Sequence, residues 1–532
     1  MTGLHRLRLS TGVFARRTAR RPLLVAGILG VTTAAAWAIV TDLTVVAQLH
    51  SPAAEHADQF EFLGLVQGGQ ADAAFDAAFE DGDELFETNF NALDGGGAKV
   101  GKGQRYTRVP RADLAGTREW KNHFPARATG PNAASCTSCH NLPMDDGAGD
   151  ASTNVHRDPT HSANLGQMIQ RNTPHTFALG ATQRLAEEMT DELLAIREQA
   201  KAQACAQGGT VTLPLVAKGI AFGSIQATRA QTNPCVVTTN SLLVRGVSTD
   251  LVVRPFQWKG SVAFIRDFNR GASHNEIGMQ AVEIVGDNFD GDGDGVVNEM
   301  TVGDQTALAI YLAAQPRPTS KQELNQLGLL KVRLTTEQLG SIERGKARFA
   351  DVGCAVCHVP SLTLVNPIFS EPSQHPKYRD GTFPAGQNPL TQGVNPAFPV
   401  SFDLTQDQPD NRITDGGGSL VFHLGALKDD GQGHGLVELY GDLKRHDIGS
   451  GLAEQINEVG TGTSTFLTRN LWGVGSTAPY LHDGRATTLT EAILEHGGEA
   501  TGAKNGFLAL STSSKADVIA FLDNLVLFKL VP

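Results

Sequence analysis

One pentapeptide pattern occurs twice and constrains this chain more than any other feature. Cys136-Thr137-Ser138-Cys139-His140 and Cys354-Ala355-Val356-Cys357-His358 both read C-x-x-C-H. The chain has six cysteines in 532 residues, and four of them fall in these motifs. C-x-x-C-H is the attachment signature of c-type haem. The two thiols bond to the porphyrin and the histidine becomes an axial iron ligand. A structural zinc knuckle would need a fourth ligand at zinc-finger spacing, and none is evident. The expected cofactors are therefore two covalently bound haem c groups, one on Cys136, Cys139 and His140, the other on Cys354, Cys357 and His358.

The rest of the sequence is consistent with that start. With 40% hydrophobic residues the chain can build real cores, and its length suggests two to four domains. A net charge of -12 argues against a nucleic-acid partner. Arg6, Arg8, Arg16, Arg17, Arg20 and Arg21 precede an uncharged run from Pro22 to Val40, and small residues follow at Val45-Val46-Ala47. Residues 1–47 thus read as a signal peptide or, because the run is long, an uncleaved membrane anchor. Either places the body in the periplasm or otherwise outside the cytoplasm. Membrane contact is expected only if the segment stays uncleaved. The two remaining cysteines, Cys205 and Cys235, have no neighbouring histidine, and in an oxidising compartment they read as a disulfide.

Helical spacing places each haem motif in a similar block. Residues 336–350 form a candidate helix ahead of the second motif, and Ser514 to Leu530 a closing one. In the first half, Asp81 to Leu93 and Gly303 to Gln315 are the corresponding candidates. Pro316 and Pro318 then break the chain. The expected fold is mainly α, with an N-terminal cytochrome c-like domain over 48–316 and a C-terminal one over 317–532. Residues 181–254 read as an insert, with a charged helix from Thr182 to Ala204 and strands at 211–213, 236–238 and 242–244. The Gly-, Pro- and Asp-rich stretch 365–440 reads as long surface loops.

Thr477-Ala478-Pro479-Tyr480-Leu481-His482-Asp483-Gly484 resembles a motif of the bacterial diheme cytochrome c peroxidases and the related methylamine-dehydrogenase maturation enzyme. The segment from Leu439 to Asp447, with Glu495-His496-Gly497-Gly498-Glu499, resembles the subgroup called diheme oxidoreductases, putative peroxidases. The resemblance covers roughly residues 80–532, with 181–254 unmatched. It implies an oxidoreductase that passes electrons from the C-terminal haem to an oxidant at the N-terminal haem. Hydrogen peroxide or oxygen would be the oxidant. A small redox protein such as a c-type cytochrome or cupredoxin would be the donor.

The same resemblance assigns site residues. Family peroxidases use a late methionine as the second haem's sixth ligand, but no methionine follows Cys357 here. His496 falls at the corresponding interval, with Tyr480 a distant alternative, and bis-His ligation lowers the potential relative to His/Met. The other reading of His496 is a helix-end residue before Gly497-Gly498. For the first haem, a distal histidine could be His156, His161 or neither. Trp258 matches the family tryptophan between the haems, and Glu276 stands near the interval of the distal acid. A carboxylate with a raised pKa can take a proton from peroxide and return it. Arg266, Asp267 and Phe268 occupy the stretch of the family's distal glutamine. Calcium is implied at Asn172, Thr477 and Pro479. Independently, Asp290, Asp292 and Asp294 match the start of an EF-hand loop. Thr301 stands where its bidentate glutamate belongs, so Glu299 or Asp304 would have to substitute. An oxygenase of the rubber-oxygenase type, a protein-modifying diheme oxidase and a plain electron-transfer cytochrome remain as alternatives. Glu276 argues against the first, since cleaving an olefin wants a dry distal pocket.

Overall fold

The computed structural model describes residues 51–97, 105–110, 125–414 and 417–529. The expected signal peptide or anchor at 1–47 lies outside them. No helix among the described residues is long and apolar enough to cross a membrane.

The helices used below are α1 (Gln59–Gln67), α2 (Ala71–Glu87), α3 (Leu179–Gln207), α4 (Ile265–Ala272), α5 (Val302–Ala313), α6 (Thr336–Asp351), α7 (Leu489–Glu495) and α8 (Thr512–Asn524). Two pairs repeat one plan: α2 packs on α5, and α6 packs on α8. Each crossing is built around a glycine four residues before a phenylalanine. A Cβ on Gly82 would run into the Ala307 backbone and Tyr311, and one on Gly345 into the Asp517 backbone and Phe521. Phe86 then stacks near Tyr311 at 5.5 Å, and Phe349 near Phe521 at 5.4 Å. Reciprocal capping boxes start α5 at Thr301 and Asp304, and α6 at Thr335 and Gln338.

The expectation of a mainly α chain is corrected. The fold is mixed, with 35% helix and 16% strand. Seven small sheets, none wider than three strands, lie among the described residues. One is the insert: β1 (Thr210–Ala217), β2 (Ile220–Gln231) and β3 (Val236–Asn240) form an antiparallel meander. The long helix α3 packs on this sheet, and the Cys205–Cys235 disulfide ties the helix end to the β2–β3 turn. The expected strand at 242–244 reduces to one bridge between Val244 and Gly223.

The other source of strand is the stretch expected to be surface loop. Here β4 (Ile368–Glu371) pairs with β5 (Val400–Asp403), and Phe369, Tyr378 and Val400 are buried. Buried backbone must be hydrogen-bonded, so a segment drawn into the interior forms short ladders. The Tyr378 hydroxyl reaches Thr190 and the Ala186 carbonyl on α3. Arg266 joins Glu283 and Glu371, and Arg270 joins Glu283 and Asp380, fastening α4 to the same stretch. The larger hydrophobic core accordingly draws residues from both sides of Pro316. A smaller one lies around α6 and α8.

Candidate haem sites

Both C-x-x-C-H segments make the same local turn. The His140 amide donates to the Cys136 carbonyl at 3.1 Å, and His358 to Cys354 at 3.0 Å. Residues at i, i+3 and i+4 of such a turn share one face, so each turn presents its two thiols and imidazole together. Burial pushes Cys136 and Cys139 up to about 12 and Cys354 up to about 11. These thiols are protonated at neutral pH, which argues against reactive-thiolate chemistry. The phenylalanine of each helix crossing lies against the motif's histidine: Phe86 is 5.9 Å from His140 and Phe349 is 6.2 Å from His358, centroid to centroid. The recurring G-x-x-x-F was a readable signal that motif reading passed over.

At the second motif a cavity of about 520 Å³ opens beside Cys354, Cys357 and His358, with His496 on its wall. The His358 and His496 ring centroids are 6.5 Å apart. Two imidazoles on opposite sides of one metal, each with a ~2 Å metal–nitrogen bond, put their centroids about 6 Å apart. His358 Nδ1 donates to the Tyr440 carbonyl at 3.2 Å and His496 Nδ1 to the Ala492 carbonyl at 2.7 Å. Tying Nδ1–H to a carbonyl fixes the tautomer that leaves Nε2 free for a metal. Burial lowers both imidazoles, His358 to about 4, so both are neutral ligands at neutral pH. The helix-end reading of His496 also holds, since it is the C-cap of α7. Burial pushes the Tyr480 phenol up to about 12, which makes it a poor competitor. The donor set and the cavity fit a haem with two axial histidines.

The two motifs of the resemblance meet beside this cavity. His446, on β6 (Arg445–Asp447), binds Asp442 through Nε2 at 2.8 Å and Glu499 through Nδ1 at 2.7 Å. Its ring is 3.9 Å from Cys357 Sγ. Strand β6 pairs with β7 (Thr465–Leu467), which continues into the cavity wall.

Around the first motif, His140 is half-buried, and the loss of solvent around its ring lowers it to about 4. Glu276 sits in a π-turn, Ser273–Ile277, that extends α4. Its backbone carbonyl accepts from Asn132 and Ala133, just ahead of Cys136. Its half-buried carboxylate accepts from the Asn132 amide at 2.9 Å and lies 3.7 Å from Arg157. Burial raises its pKa against the pull of both. The ring of His161 binds the Arg127 carbonyl and that of His156 binds Gln170. Arg266, in place of the distal glutamine, is committed to the buried ion pairs of α4.

Trp258 joins the two halves. Its indole N–H donates to the Asn172 carbonyl at 2.9 Å, and its ring lines the cavity of the second motif. The Asn172 amide nitrogen in turn donates to the Pro479 carbonyl at 2.6 Å, and its Oδ1 is buried without a partner. The implied calcium residues Asn172 and Pro479 are thus in contact, and Thr477 lies two residues before Pro479. The side-chain oxygens of Asp290, Asp292 and Asp294 come within 4.8 Å of one another. Burial, together with the charge of Asp292, pushes nearby Glu299 up to about 9. Arg127 and Arg105 already stand by Asp292 and Asp294. Asp304 is spent on the α5 cap and on His56.

Two thiols and an imidazole on one turn, facing a second imidazole across a cavity, form a donor set that suits a haem. Residues 426–525, which supply most of that cavity's wall, match the family model described as di-haem oxidoreductase, putative peroxidase. No curated protein matches the chain significantly. Among solved structures, a MauG-like protein associated with microbial copper homeostasis aligns at 13% identity. That alignment covers 54% of this chain and 76% of the other, with a TM-score of 0.25, too slight to carry an argument.

Proposed function

We propose that this protein is an exported diheme c-type oxidoreductase of peroxidase-like activity, with haem domains dividing near Pro316. The observation that carries the reading is the facing pair His358 and His496 with both Nδ1 atoms tied to carbonyls. Two bound haems would supply single-electron chemistry and, at an open iron position, a place for peroxide. The chain's own residues do the rest. Cys354 and Cys357 would anchor one group, with His358 and His496 as its imidazole donors, which would leave that site to relay electrons. Cys136, Cys139 and His140 anchor the other. Glu276 holds a proton near it and hands it from one peroxide oxygen to the other. Trp258 is the side chain this proposal puts on the electron path from the C-terminal to the N-terminal half. A small c-type cytochrome or cupredoxin is the donor.

The disulfide supports export to an oxidising compartment. Calcium belongs to the same reading, with Asn172, Thr477 and Pro479 at one site and Asp290, Asp292 and Asp294 at another. Sparse protein ligands at the first would leave waters to complete the shell. Elemental analysis before and after exhaustive chelation checks both sites.

Haem staining of denaturing gels tests attachment. Cys354→Ala/Cys357→Ala should halve the signal, and an unchanged signal ends the two-haem reading. Mixing the half-reduced protein with peroxide tests the activity. A protein inert to peroxide that consumes oxygen with an organic substrate would be an oxygenase instead.

A further inference from the structure

Two cations on the wall of the cavity at the second motif have no carboxylate partner among the described residues: Lys504, whose ammonium donates to the Leu494 carbonyl, and Arg469, whose guanidinium has no such bond. The Arg469 guanidinium carbon lies 4.8 Å from the centroid of the Trp258 ring. Among the described residues no carboxylate lies within ion-pair distance of Arg469. Other arginines withdrawn from solvent differ: Arg157, Arg171, Arg266 and Arg270 each hold at least one acid. Desolvation therefore acts on Arg469 unopposed and lowers it to about 10, which still leaves it charged at neutral pH. Next to it Asn470 also lines the cavity, and its amide oxygen is buried without a partner. The Asn470 amide nitrogen is an N–H donor on the same wall. An unmatched guanidinium fork with an amide donor beside it is a receptor for a planar carboxylate.

Haem carries such carboxylates as its propionates. We infer that Arg469 receives a propionate of the haem attached at Cys354 and Cys357, and so holds that edge of the ring against Trp258. The inference rests on the reading that a haem is attached there. Arg469 is then a positioning residue for the electron path. It also sets the potential, because a cation paired at the ring edge favours the electron-rich reduced state.

The test uses the full-length haem-loaded protein, with haem content measured first. A wild type carrying no haem on the second motif overturns the functional reading and this inference with it. In a loaded Arg469→Gln variant, the reduced-to-oxidised ratio of the low-spin haem at a fixed mediator potential should fall about tenfold. That is the size expected for losing one charge-assisted pair, and it equals ~59 mV for a one-electron couple. Arg469→Lys, which keeps the charge, should recover most of the loss. A loaded Arg469→Gln protein that melts earlier but keeps its potential overturns the inference alone, since Arg469 would then only pack on Trp258. If Arg469→Gln fails to load haem, Arg469→Lys decides. A point charge cannot make the forked contact, so the propionate-bending band in the resonance Raman spectrum should shift from its wild-type position. An unchanged band overturns the assignment.

Discussion

His446 keeps a charge that its burial opposes. Hydrogen bonds to Asp442, Cys357 and Glu499 outweigh desolvation and push its pKa up to about 10. The folded chain thus holds this proton more tightly than the unfolded one, whose histidines titrate near 6.5. The stabilisation is complete below about pH 6.5 and is lost as pH rises toward about 10. The melting-temperature gap between wild type and His446→Gln should be widest near pH 6 and close above pH 10. A gap constant across that range would mean that the ring acts by packing alone. Glu276 carries the opposite burden, a carboxyl raised by burial. Glu276→Gln keeps shape but cannot accept a proton, so stopped-flow peroxide consumption should slow by about 10²–10⁴-fold with haem content unchanged. A mutant as fast as wild type removes Glu276 from the mechanism. At this scale the sequence was most legible where chemistry is local. Five consecutive residues spell each haem turn. Asp442, His446 and Glu499 were visible only as parts of motifs, because their meeting depends on how β6 and the segment after α7 fold together.

Helices were legible as periodicity, but their crossings were not. Nothing in the spacing of apolar residues says that Gly82 and Gly345 must lack a Cβ. That follows from the distance of α5 and α8. Gly345→Ala must push α6 off α8, a strain of about 1–3 kcal/mol. Gly340→Ala, on the same helix but facing only the flexible end of Arg344, should be neutral or stabilising by up to about 1 kcal/mol. Thermal melts of the two variants separate close packing from helix propensity, and equal melting points would refute the crossing argument. Strand β2 escaped sequence reading because Ile220–Gln231 is rich in Ala, Gly, Ser and Gln, which have little strand preference. Its neighbours and α3 impose the conformation. The stretch 365–440 misled for a related reason. Its Gly, Pro and Asp mark turns correctly, but the isolated aromatics between them, Phe369, Tyr378 and Phe402, carry it into the core.

The two halves meet through charge as well as through Trp258. Arg157 binds Glu458, Arg171 binds both Glu454 and Glu458, and Lys259 binds Glu454 while its ammonium lies over Phe466. Partners 301 residues apart, such as Arg157 and Glu458, cannot be paired from one sequence. The network reaches the first site, because Arg157 also lies 3.7 Å from Glu276. Arg157 lowers the Glu276 pKa, and Glu458 raises it. Removing the Glu458 charge should therefore act at a distance. Glu458→Gln deletes the repulsive carboxylate and leaves Arg157 with Glu276 as its nearest acid. Both effects lower the pKa of Glu276, so the base stays ionised to lower pH. The acid limb of the pH–rate profile for peroxide consumption should move to lower pH, while spectra of both haems stay in place. The same substitution made with Glu276→Gln should produce no shift, since the titrating group is gone. An acid limb unmoved in Glu458→Gln, or moved equally in both backgrounds, would show that the C-terminal half does not tune proton transfer through Arg157.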